Sequence, residues 1–142
     1  MAAFMLVTMT LFSCKKDDGG SVKTPAELII GKWYPVSAIS DKPYQWASNN
    51  YGTDGFAGLG DCIETSTLTF SQGATAGTGI VQAYDDCQKA NVEDSYILQS
   101  NTLTLINSGD RTIEKLDGSN LVFSYTRYVG GQAIKFTNGF KK

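Results

Sequence analysis

Histidine is absent from this chain of 142 residues. Its absence removes the commonest general base and the commonest metal ligand. Most hydrolase triads and most zinc sites are thereby excluded. Charge is also scarce: 18% of the residues are charged and the net charge is −2. A nucleic-acid binder would show a basic face, and this slightly acidic balance argues against that partner. Long apolar runs are missing too. Residues 2–13 carry no charge, but about 12 residues fall short of the roughly 18–20 that a membrane-spanning helix needs. What remains is about one domain's length, enough to bury a single core.

The uncharged run fits the apolar region of a secretory signal. It ends in Leu11-Phe12-Ser13-Cys14, which resembles the lipobox of bacterial lipoproteins. That resemblance implies cleavage before Cys14 and acylation of it. Lys15-Lys16-Asp17-Asp18-Gly19-Gly20-Ser21 follows, too polar and glycine-rich to build a core. A lysine and two acidic residues just after the acylated cysteine resemble the surface-export signal of Bacteroidetes lipoproteins. The expected organisation is a signal peptide over 1–13, a lipidated tether over 14–23 and one domain over 24–142. The expected location is the outer membrane, facing the cell surface, with a periplasm-facing protein as the alternative.

The domain opens with a helix-start signature. Thr24 stands at the N-cap, Pro25 at the first helical position and Glu27 three residues after the cap. Gly31 stops the short helix after Leu28, Ile29 and Ile30. Everything beyond reads as strands and turns. The candidate strands are 33–39, 62–70, 80–84, 95–99, 102–106, 112–116, 121–128 and 132–137. The later turns are explicit: 107–110, 117–120 and Gly130-Gly131 are hairpin signals. Hairpins in series make a meander, and eight antiparallel strands hide their edges best by closing into a barrel. A sandwich satisfies the same pattern. Trp33, Leu103, Leu105, Leu121, Phe123, Tyr125, Ile134 and Phe136 alternate as inward-facing residues should.

Gly31-Lys32-Trp33, just after a short helix and opening the first strand, resembles the Gly-x-Trp motif of lipocalins. The segments 101–105, 112–116 and 121–125 look like the lipocalin-like domain of Bacteroidetes lipoproteins. This resemblance implies an eight-stranded up-and-down barrel, a small apolar or amphipathic ligand at its mouth, and a closed end built on Gly31 and Trp33. In lipocalins an arginine near the last strand packs on that tryptophan. Arg127 is the late candidate here, although it falls on the seventh strand. The second lipocalin motif, a Thr-Asp-Tyr group, has no match, so the chain reads as an outlying calycin relative.

Cys62 and Cys87 form an even pair in an exported chain, where disulfides persist. A bridge between them is expected to stabilise by about 3 kcal/mol. With no histidine and no Cys-x-x-Cys spacing, a metal-binding or reactive thiol pair is the weaker reading.

The longest segment without a strand pattern is 41–61, and loops this long are usually functional or disordered. It holds Tyr44, Trp46, Tyr51 and Phe56, whose rings carry large apolar area. Two readings stand together: a lid whose rings touch a ligand or partner, and a packed loop that covers the barrel end. Asp85, Asp86 and Asp94 match no calcium loop. Glu64 and Glu114 lack the fixed separation that a glycosidase requires. No serine has a visible activating base. The chain therefore reads as a non-enzymatic binding protein with no metal and no cofactor, whose ligand would meet Tyr44, Trp46, Tyr51, Phe56 and Tyr125. The alternative is a filled barrel that presents 41–61 to a surface protein or glycan. A cavity above roughly 300 Å³ favours the carrier; a filled barrel with exposed Tyr44, Trp46 and Tyr51 favours the interaction module.

Overall fold

The computed structural model describes residues 22–48, 50–57 and 61–142. The expected signal peptide, Cys14 and most of the tether lie outside the described residues. The elements run α1 (Pro25–Ile29), β1 (Gly31–Ala47), β2 (Asn50–Asp54), α2 (Cys62–Thr65), β3 (Thr67–Gln72), β4 (Thr78–Asp85), β5 (Ala90–Gln99), β6 (Thr102–Leu105), β7 (Gly109–Leu116), β8 (Asn120–Val129) and β9 (Gln132–Lys141).

Every strand pairs antiparallel with its neighbour, and β9 returns to pair with β1 from Tyr34↔Lys141 to Ser40↔Phe136. That return closes β1 and β3–β9 into an eight-stranded barrel, with β2 as an extra strand on the far part of β1. Closure removes the sandwich alternative. The expected inward set lies inside: Trp33, Leu103, Leu121, Phe123, Ile134 and Phe136 are buried, and Leu105 and Tyr125 pack against them.

The helix-start signature forms as expected. The Thr24 hydroxyl and the Glu27 carboxylate exchange the two bonds of a capping box. Gly31 then takes φ +122°, in the region where only glycine is at ease, and turns the chain into β1. α1 seats Ile29, fully buried, under one end of the barrel.

Three expectations change. Residues 41–47 and 50–54 are not an irregular loop; they are the tail of β1 and the whole of β2. Pro43 disguised them, because proline in a sequence argues against a strand. Here it falls within the register shift between Ile39 and Tyr44, where a residue without an N–H is tolerated. The strand expected to begin at Cys62 begins at Thr67, and 62–65 form a helical turn. The Thr65 and Ser66 hydroxyls both donate to the Cys62 carbonyl, and such local bonds compete with extended backbone. β9 also continues four residues past the expected Thr137.

Candidate functional site

The site is made by a bend in β1. Ser40 is opposite Phe136, the last pair of the β1–β9 ladder. A straight strand rising about 3.3 Å per residue would carry Trp46 some 20 Å further on. Instead the Trp46 ring lies 5.4 Å from the Phe136 ring. The corner is held by Ser40, whose buried hydroxyl donates to the Lys42 carbonyl at 2.7 Å. Further out, Lys42 Nζ donates to the Ala133 carbonyl and the Asp41 carboxylate accepts from the Lys135 N–H, both tying the bent tail to β9. The tail of β1 with β2 thus lies across the mouth of the barrel.

Tyr44 and Trp46 alternate on the inner side of this cover. Tyr44 meets Trp46 edge-on at 5.3 Å and Phe136 at 5.0 Å. Phe136 stacks on Tyr125 at 5.4 Å. Edge-to-face and offset rings of this kind add about 0.5–1.5 kcal/mol per pair beyond their buried area. The Trp46 indole N–H donates to the Gly52 carbonyl at 3.1 Å, which locks the ring to β2. Gly55 is required where that ring comes to rest, because a Cβ there would stand 2.6 Å from it.

Under the cover lies a cavity of about 240 Å³. Trp46, Phe56 and Ile63 close it from the cover side, and Pro35, Tyr125 and Phe140 form the barrel side. Asn138 is an amide in this otherwise mostly apolar wall. The volume falls just below the roughly 300 Å³ at which drug-sized ligand sites begin. The barrel is neither filled nor as open as a drug site.

Four of the five residues expected at a ligand come together here: Trp46, Phe56 and Tyr125 line the cavity and Tyr44 packs on Trp46. Tyr51 does not join them. It points outward from β2 and is 70% exposed. Phe140, Ile63 and Asn138 were missed. Asn138 and Phe140 share the inward face of β9 with Ile134 and Phe136, and alternation carried past Thr137 would have reached both.

The opposite end is the closed one. Trp33 is fully buried, and its indole N–H donates to the Ile29 carbonyl at 2.7 Å. The cation on its ring is Lys142, whose Nζ lies 4.5 Å from the ring centroid and donates to the Leu28 carbonyl. Arg127 is not that cation. It is exposed opposite Ile134, near the β8–β9 hairpin at the mouth. The expectation failed because β9 is longer than its pattern suggested, and its end delivers a lysine to the tryptophan.

Cys62 and Cys87 are bridged, with Cα atoms 5.0 Å apart. The bridge joins α2, at the base of the cover, to the turn between β4 and β5. Asp86 sits beside it and accepts from Lys89, Thr65 and Tyr84. Those bonds, the Lys89 ammonium first, hold its carboxyl below the ordinary value, at about 2. Asp94 is buried inside the barrel wall. Burial pushes its pKa up, but donation from the Asn107 N–H, the Ser108 hydroxyl and the Asn107 amide outweighs that and leaves it low. Its oxygens are fully engaged in holding the β6–β7 turn.

No protein-family model matches the chain, and no curated protein matches it in sequence. Solved structures do resemble it. The bovine lipocalin allergen Bos d 2 is 14% identical over 82% of this chain and 74% of its own, with a TM-score of 0.54. A bovine odorant-binding protein in complex with a selenium-containing odorant is 20% identical over 85% and 74%, with a TM-score of 0.51. Aphrodisin, a sex pheromone from female hamster, is 12% identical over 80% and 74%, with a TM-score of 0.50. At these identities the likeness concerns the fold, and with the closed ring of eight strands and the covered mouth it establishes that this chain folds as a lipocalin-type barrel.

Proposed function

We propose that this protein is a non-enzymatic carrier that binds one small apolar or amphipathic molecule between the barrel wall and its cover. The observation that carries this reading is the cavity of about 240 Å³ beneath Trp46 and Phe56. At protein-like packing density it suits an occupant of roughly ten non-hydrogen atoms. Binding would come from burying apolar surface against rings already in place, with little reorganisation to oppose it. The structurally similar bovine odorant-binding protein, solved with a selenium-containing odorant, supports the same class of ligand.

Export and anchoring belong to the same reading. An acylated Cys14 would hold the barrel at the outer membrane, facing the cell surface. Each buried methylene of an acyl chain contributes about 0.8 kcal/mol, so several chains suffice without a membrane helix. Incorporation of labelled palmitate by the full chain, and its loss in Cys14→Ser, tests the anchor separately.

The carrier itself is tested by native mass spectrometry of the protein purified from its host under mild conditions. The expected result is a reproducible added mass that denaturation releases. Absence of any added mass, together with no saturable uptake of small aromatic probes, would shift the assignment to an interaction module presenting the exposed Tyr51 side of β2.

A further inference from the structure

We propose that the cavity selects ligands bearing a hydroxyl group, and that Asn138 is the residue that selects them; this rests on the carrier reading above. Asn138 lies on the inward face of β9 between Phe136 and Phe140, and its backbone is taken up by ladders to Phe123 on one side and Ala38 on the other. Its carboxamide is left over. The oxygen is shielded from water and has no hydrogen-bond partner among the described residues, while the side chain as a whole remains partly accessible and lines the cavity.

A buried polar atom with no partner costs free energy and calls for an explanation. The surrounding wall is mostly apolar, and the two hydroxyl-bearing residues that share it, Ser37 and Tyr125, make no bond to this oxygen. A leucine would fill the same space at no such cost. The second shielded atom without a partner, the Tyr96 hydroxyl, lies against Phe70 in the closed-end core and does not line the cavity. An amide kept at a cavity wall is instead suited to a polar group that arrives with the ligand.

The terminal torsion of asparagine is broad and roughly two-fold, so a half-turn of the carboxamide exchanges its oxygen and nitrogen edges. The oxygen edge asks for a donor and the nitrogen edge for an acceptor. A hydroxyl is both, and therefore fits whichever edge is turned to it. Combined with the size of the cavity, this names the ligand class: a compact, mainly apolar alcohol or phenol, with the ring or hydrocarbon body against Trp46 and Phe140.

The test compares two molecules of nearly one shape, 2-phenylethanol and propylbenzene, titrated calorimetrically into the full chain. The alcohol is expected to bind about tenfold more tightly, the effect of one hydrogen bond made to a buried group. In Asn138→Leu the preference is expected to vanish or reverse, and the variant is expected to be at least as stable as the parent. Side-chain amide resonances of Asn138 in a nitrogen-15 spectrum give a second readout that needs no substitution. They should shift on adding the alcohol and stay in place with the hydrocarbon. Equal binding of the two molecules by the parent protein overturns the role of Asn138 and leaves the carrier reading intact. A preference that survives in Asn138→Leu, or amide resonances indifferent to the alcohol, likewise overturns it. Binding of neither molecule overturns this inference, and with no added mass in the native spectrum it removes the carrier reading as well.

Discussion

Trp33 and Trp46 lie on the same strand and do opposite work. Trp33 is sealed between α1 and the barrel, with a lysine over its outer side and its N–H spent on a buried carbonyl. Trp46 is only half-buried, packs on a glycine, and faces a cavity on its inner side. One end of the barrel is therefore a core and the other is a cover over space. A single strand can build both because it changes partners: β3 at Gly31–Trp33, β9 along its middle, and β2 along its tail. The packing is stringent where α1 and β3 meet β1, and looser where only the hairpin is available.

This contrast can be broken in several ways. Trp33→Ala should have the largest effect, about 3–5 kcal/mol for a large aromatic removed from a core, read as a lower urea midpoint. Trp46→Ala should cost about 1–2 kcal/mol, because less of its surface leaves water on folding. Equal losses from the two substitutions would make the cover part of the core and defeat the comparison. Next comes the bridge. Replacing Cys62 and Cys87 by serine should remove about 3 kcal/mol and loosen the base of the cover first, so hydrogen exchange should rise at 62–66 and 85–89 before the closed end responds.

Gly55→Ala should follow, at about 1–3 kcal/mol from overpacking. Its Cβ would displace the Trp46 ring, and the emission of that tryptophan should move to the red while the buried Trp33 is unchanged. The smallest effect should be that of acid. The Asp86 carboxyl titrates at about 2, below its ordinary 3.8. A depressed folded pKa means that its contribution is complete above about pH 4 and is lost as pH falls toward 2. In Asp86→Asn this part of the acid limb should flatten; an unchanged limb would show that the Lys89, Thr65 and Tyr84 bonds contribute nothing measurable.

The closed end was largely legible in the sequence, because its signals are local. Thr24 and Glu27 form a capping box around Pro25 within four residues, and Gly31 and Trp33 sit at a fixed offset from it. The hairpins at 117–120 and 130–131 are likewise announced by their own residues. The cover was only half legible. Its four rings were visible as a cluster in sequence, but the bend at Ser40 depends on a hydroxyl reaching a carbonyl two residues away, and nothing in the hydrophobic pattern reports that. Tyr51 illustrates the loss: without the register of β2, its outward direction could not be assigned. Lys142 and Asn138 were hidden for a related reason, since β9 mixes Asn138, Gly139 and Lys141 into a stretch whose pattern fades after Thr137. The Cys62–Cys87 pair was legible from its number and setting, and the helical turn at Cys62 was not.

The seam between β1 and β9 also sets the order of assembly. It joins residues 34–40 to 136–141, positions roughly a hundred apart along the chain, so the loop that must close is almost the whole domain. The hairpins from β3 to β9 need only their immediate neighbours and can form as they emerge. β1 is made early and has its long edge unpaired until the last ten residues of the domain arrive. Closure should then be a late and slow event, and a truncation before Gln132 should yield an open sheet with two bare edges, prone to pair with other copies of itself.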